Sequence, residues 1–198
     1  MSDFEMFLNN DEIHVPDLIK IAIAHYQFET IHPFLDGNGR IGRLMIPLFL
    51  VSRGILDKPL LYLSEFFEKN RSVYYDKLTY TREKSDLNQW IKYFLIGIAE
   101  TAESGVNTLM EIMKLKEEVE NKILTMGRRA ENAKKLLTGL FANPIVTAKT
   151  VVNITGLSVK AANDLIKLFL DEHILSELTK GERNRVFAFE KYVNLFNK

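Results

Sequence analysis

His32, Asp36, Arg40 and Arg43 fall within twelve consecutive residues, His-Pro-Phe-Leu-Asp-Gly-Asn-Gly-Arg-Ile-Gly-Arg. These residue types at this spacing suit a polyanion. Gly37, Asn38 and Gly39 stand where the pattern turns helical. Glycines let a backbone turn its N–H groups into a concavity that no side chain blocks. A helix N-terminus adds free donors and partial positive charge. Together they make a nest for an anion, phosphate above all. Arg40 and Arg43, three residues apart, share one helix face, so two guanidinium forks can hold further phosphates.

Asp36 stands immediately before the nest. A lone carboxylate among phosphates suits Mg²⁺, a hard cation that takes one or two carboxylates plus phosphate and water oxygens. Taken alone, Asp36 reads equally well as a turn aspartate or as an ion-pair partner of Arg40. His32 precedes Pro33, which is expected to keep its backbone extended and to end the upstream helix. Imidazole can take up a proton near neutral pH. A base beside a metal-bound polyphosphate points to a hydroxyl activated for attack on phosphorus. Phe34 is expected to be a core anchor beneath the loop, and His14, His25 and His173 to have structural roles.

Helices must hold this loop. Residues 4–9 suggest a short helix, and the apolar pattern from Pro16 to Ile31 a buried one with Pro16 in its first turn. A helix from Asn38 or Gly39 to Ser52 follows, with Pro47 expected to kink it. Ser64 is expected to cap a helix over 65–82, and Asp86 with Gln89 to form a capping box. From there Leu95, Ile98, Ala102, Gly105, Leu109, Ile112, Lys116, Val119, Ile123 and Met126 recur every three or four residues. That stripe suits one long helix, either packed on its own domain or forming a dimer seam. The tail reads as helix 148–154, a tight turn at 155–157, helix 158–170, and strands at 174–178 and 185–189. Helix-turn-helix plus hairpin is the outline of a winged helix.

Net charge over the 198 residues is zero, but residues 1–125 hold 14 Lys and Arg against 19 Asp and Glu, and residues 126–198 hold 12 against 7. Two modules with different partners are implied. The absence of cysteine excludes disulfides, thiolate nucleophiles and Cys-based zinc sites. The acidic start does not have the profile of a secretory signal, and no apolar run is long enough to span a bilayer. A cytoplasmic protein is expected.

The joint pattern H-P-F-x-D-G-N-G-R-x-x-R resembles the defining motif of the Fic family of protein adenylyltransferases at every specified position. LYLSEFFEKNRSVYYDKL (61–78) and LNQWIKYFLIGIAETA (87–102) look like the family's following helices, and a winged-helix tail is common in its bacterial members. The resemblance implies a mainly α fold: a Fic-type helical bundle over residues 1–125, then a small winged helix-turn-helix domain over 126–198. It implies transfer of AMP from ATP to a Ser, Thr or Tyr hydroxyl of a protein, with release of pyrophosphate. His32 would be the general base and Asp36 the Mg²⁺ ligand. Backbone and side chain at Gly37, Asn38 and Gly39 would cradle the α- and β-phosphates with Arg40, while Arg43 would reach the γ-phosphate. Tyr74 and Tyr75 match a tyrosine pair near the adenosine; helical neighbours diverge by about 100°, so one is expected to face the base. Arg82 stands near the place where some relatives carry an asparagine beside the adenine.

The resemblance also implies a β-hairpin flap and, often, an inhibitory helix of pattern [S/T]-x-x-x-E-[G/N]. Neither occurs in the 31 residues before His32, and Glu120-Asn121 and Glu131-Asn132 have Lys116 and Gly127 at the upstream position. The chain is expected to be the C-terminal part of a larger protein, with self-modification and a homodimer among its outcomes. A Doc-type phosphotransferase would lose the Gly-Asn-Gly nest, which is intact here. A DNA-binding regulator would rely on Lys160, Asn163, Asp164, Lys167, Arg183 and Arg185, a thin set. Weak or no nucleic-acid binding is expected of the tail, with protein contact the favoured role.

Overall fold

Pro16 starts the helix on which the candidate loop hangs. In the computed structural model, which describes residues 1–179, 181 and 184–196, Pro16 takes the N-cap position, and its carbonyl accepts from the Ile19 and Lys20 N–H groups at 2.9 Å. The chain divides into two compact units, Met1–Val106 and Asn107–Lys198.

The first unit is helical throughout its described elements: α1 (Ser2–Asn9), α2 (Asp17–Ile31), α3 (Asn38–Ser52), α4 (Ser64–Lys69), α5 (Arg71–Lys84) and the first part of α6 (Leu87–Leu124). Because α2 is apolar on most sides it serves as the central helix, with Ile21, Ala22 and Ala24 fully buried. Trp90 and Phe94 of α6 are fully buried against it, and the Trp90 indole donates to the Ala22 carbonyl at 2.7 Å. Pro47 lies buried within α3, leaving the Arg43 carbonyl without its intrahelical donor.

Two helices occupy the stretch expected to form one. Asn70 leaves helical geometry (φ −110°, ψ 34°) between α4 and α5, its side-chain amide donating to the Phe66 carbonyl at 2.9 Å. Side-chain competition of this kind is why asparagine favours helix ends. Ser64 caps nothing: Leu63 holds the N-cap position of α4, and the Ser64 hydroxyl accepts from Arg43 instead. At the start of α6, Asp86 accepts from the Asn88 N–H at 3.0 Å. Gln89 takes the Lys77 ammonium and does not close the expected box.

The long helix is present, but its apolar stripe is not one continuous seam. Trp90, Tyr93 and Phe94 enter the first core, while Leu115, Val119 and Ile123 enter a second. Between them Ala102, Gly105 and Leu109 are exposed. Each end of α6 serves its own core, so periodicity persists without a single partner.

That second core belongs to the unit beginning at Asn107, which adds α7 (Ala130–Ala142), β1 (Ile145–Thr147), α8 (Ala148–Thr155), α9 (Val159–Asp171), β2 (Ser176–Glu177), β3 (Val186–Ala188) and α10 (Glu190–Val193). Thr147 and Thr150 form a reciprocal capping box at α8. Gly156, at φ 73°, makes the left-handed turn into α9, which Ser158 caps. The strands form an antiparallel sheet in the order β1-β3-β2, with Phe187 opposite both Val146 and Glu177. Both hairpin strands are shorter than expected, and β1 was not legible as a strand. Arg183 lies outside the described residues.

Candidate active site

The loop between α2 and α3 begins with a conformation that the sequence does not suggest. His32 is left-handed (φ 49°, ψ 58°), not extended, and caps α2 with its N–H donating to the Phe28 carbonyl at 3.0 Å. Closing the last helical turn outweighs the preference that Pro33 imposes. For a non-glycine residue this geometry costs about 1–2 kcal/mol, and such local strain clusters at functional positions. The imidazole is left exposed.

Asn38 holds the loop shut. Its side-chain oxygen accepts from the Phe34 N–H at 2.8 Å and its amide donates to the Phe34 carbonyl at 2.6 Å. The buried Asn38 side chain is thus committed to the loop, leaving only its backbone to the nest. Phe34 is 48% exposed, not a core anchor, because this bracing presents its ring at the surface, 6.3 Å from that of Phe28.

Gly37 turns the chain into α3 at φ 83°. The helical ladder begins with the Ile41 N–H to the Gly37 carbonyl at 3.0 Å, so the N–H groups of Asn38, Gly39 and Arg40 precede it. Both arginine side chains lie at this end. A β-carbon on Gly37 would lie 3.4 Å from Arg40 Nη2, and one on Gly39 would lie 3.1 Å from Arg43 Nη1. Arg43 is steadied by its Nε donating to Ser64 Oγ at 3.2 Å. Arg40 pairs with Asp36 at 3.3 Å, but the carboxylate is 93% exposed, so the pair contributes little and both groups can turn to a ligand. Of the two ordinary roles open to Asp36, the ion pair is the one this geometry contains.

Among the described residues no three His, Cys, Asp or Glu side chains gather to hold a metal. A single exposed carboxylate beside an anion nest fits Mg²⁺ only in company with phosphate oxygens.

Beneath the loop, α2 and α3 meet at Gly42, where a β-carbon would strike Glu29 Oε1 at 2.5 Å and Phe28 at 3.1 Å. His25 joins three helices there. Its Nδ1 donates to the Gly42 carbonyl at 3.0 Å, which fixes the tautomer, so Nε2 accepts from the Tyr74 hydroxyl at 3.1 Å. Phe67 and Trp90 sandwich the imidazole at 5.6 and 5.8 Å. Burial, with Arg43 adding to it, pulls the His25 pKa down to about 4 despite the opposing bond to Gly42. Burial pushes the Tyr74 hydroxyl up. Tyr74 is therefore a core residue, while Tyr75 is 54% exposed with Arg71 over its ring at 6.0 Å. Arg82 is exposed in the last turn of α5.

Sequence reasoning missed Glu29, Gly42 and Ser64 as parts of this site. A polar residue within an otherwise apolar helix was the available signal for Glu29; Ser64 offered none, since capping explained it.

Residues 1–50 match the Fic/DOC family model. Protein adenylyltransferase fic-1 of Caenorhabditis briggsae is 30% identical over 115 residues, which are 58% of this chain and 20% of that protein. A probable protein adenylyltransferase of Aquifex aeolicus is 30% identical over 131 residues, 61% of this chain and 39% of that protein. The matches thus span well under half the length of these relatives. A solved Fic family protein from Desulfovibrio desulfuricans shares the fold, with a TM-score of 0.52 at 19% identity over 94% of this chain and 53% of that one.

Acid should unlock the His25 junction. The folded imidazole stays neutral down to about pH 4, whereas an unfolded one titrates near 6.5. Between these values the unfolded chain binds more protons, so the stability contribution is full above pH 6.5 and is lost as pH falls through 4. The loss approaches about 3 kcal/mol. Glu29, whose carboxyl burial raises, acts in the opposite sense and blunts the slope. Denaturant unfolding at pH 7 and pH 4.5 should show the decline, and its disappearance in His25→Asn; equal slopes in both proteins would remove His25 as the cause.

Proposed function

We propose that this chain, whose first 50 residues match the Fic/DOC family model, transfers AMP from ATP to a hydroxyl group of a protein. The observation that carries this reading is the placement of the Arg40 and Arg43 guanidinium groups beside Gly37 and Gly39 at a free helix N-terminus, with His32 on the loop that leads into it. The adenylyltransferase names of the relatives support it. The backbone N–H groups of Asn38, Gly39 and Arg40 receive phosphate oxygens, Arg40 binds beside Gly37, and Arg43 reaches the γ-phosphate from its brace on Ser64. Tyr75 supplies the adenosine contact; Tyr74 supports it from the core. His32 takes the proton of the target Ser, Thr or Tyr hydroxyl, whose oxygen bonds to the α-phosphorus as pyrophosphate leaves. Mg²⁺, held by Asp36 and phosphate oxygens, supplies charge neutralisation when bound.

The second unit is read as a winged-helix module that contacts protein. On α9 the Asn163 amide is turned back to the Val159 carbonyl at 3.0 Å, and Arg185 is held by Glu177 at 2.8 and 2.6 Å. Few side chains remain to read bases. Among the described residues no helix is long and apolar enough to cross a membrane.

His32→Ala should abolish AMP transfer, a loss of ~10²–10⁴-fold, while ATP binding stays near that of the parent, since the nest does not use the imidazole. Labelled ATP with the chain alone and with a lysate reads transfer to itself or to a target; near-parental transfer in the mutant would overturn the assignment of the base. Arg43→Ala should weaken ATP affinity more than ADP affinity in calorimetry, and equal losses would show that this arginine does not reach the γ-phosphate. Any DNA binding should be weak and steeply salt-dependent. Sequence-specific binding that survives high salt would place a regulator ahead of a protein-contact module.

A further inference from the structure

We propose that Glu29 is a positioning residue of this site, aligning His32 and Arg43 from beneath while opposing nucleotide binding; this rests on the adenylyl-transfer reading above. Glu29 lies in the last turn of α2, three residues before the left-handed His32 that closes it. Its side chain is only 10% exposed, and Oε1 is buried with no hydrogen-bond partner among the described residues. That oxygen is 4.0 Å from His25 Nε2. It would stand 2.5 Å from a β-carbon on Gly42 and 4.0 Å from one on Gly39. The two glycines let a carboxyl press directly on the first turns of α3, under the nest.

Packing alone does not call for an acid here. His25 is neutral and its Nε2 is already engaged by Tyr74, so the nearest imidazole offers no cation. An uncharged side chain of the same length would fill the space without a buried, unpartnered oxygen. The groups that face Glu29 are His25 from α2, His32 from its cap, Arg43 from α3 and Tyr74 from α5. Burial raises its pKa, while His32 and Arg43 both favour its charged form. A carboxylate so placed attracts the base and the second arginine, narrowing the positions they occupy, and it repels the phosphates they serve. A group that opposes ground-state binding yet orders the reacting side chains contributes where alignment is needed.

Glu29→Gln in the full chain separates this from a packing role. ADP affinity by calorimetry and the kcat of AMP transfer are compared with the parent at mildly alkaline pH, which favours the ionised form of a carboxyl that burial raises. Removing the charge should tighten ADP binding about three- to tenfold, while kcat falls about tenfold or more. Glu29→Asp should recover part of both. A purely structural defect would weaken both, so unchanged or weaker ADP binding, or an unchanged kcat, overturns the proposal. If the glutamine variant does not fold, Glu29→Met supplies the same comparison. Should the parent bind ADP but transfer no AMP, the adenylyl-transfer reading falls, and the ADP measurement alone still decides whether Glu29 opposes the nucleotide.

Discussion

The His25 junction is the interaction on which the rest of the first unit depends. One neutral imidazole donates to the Gly42 carbonyl of α3 and accepts from the Tyr74 hydroxyl of α5, with Phe67 and Trp90 stacked on its faces. Three helices are thereby set at fixed separations by two hydrogen bonds in an apolar box, where unmade bonds would be costly. The loop carrying His32 spans two of those helices, and Tyr75 lies on the third. Site geometry and core packing are therefore one problem.

Glycine solves that problem at successive positions for different reasons. Gly37 supplies the left-handed turn into α3. Gly39 leaves room for the Arg43 guanidinium. Gly42 admits Phe28, His25 and Glu29 against the helix backbone. What reads in the sequence as a single Gly-rich loop is a turn, an opening for a side chain and a close helix contact, only the first of which is about backbone freedom.

The second unit has a core of its own, from Leu115, Val119 and Ile123 of α6 through α7, α8 and α9 to Phe187 and Phe189. Its sheet is small and its caps are local, made by Thr147, Thr150 and Ser158. Such short-range signals explain why α8, the Gly156 turn and α9 fall within a residue or two of their expected bounds. β1 escaped notice because three residues carry too little alternation to mark a strand.

By itself the sequence determined the chemical inventory: an imidazole, a Gly-Asn-Gly turn, two arginines and one carboxylate at fixed spacing. It also determined the helices whose caps and apolar periods are local. Only the tertiary structure decided what each side chain does. It buried Tyr74 on His25 and left Tyr75 at the surface, because a helix cannot turn adjacent residues to the same side. It diverted Ser64 from capping to bracing Arg43, spent Asn38 on the loop, and drove Glu29 beneath α3. Those roles arise from neighbours up to 49 positions away in the chain, as His25 is from Tyr74, and spacing along a chain holds no information about which distant groups compete for the same hydrogen bond.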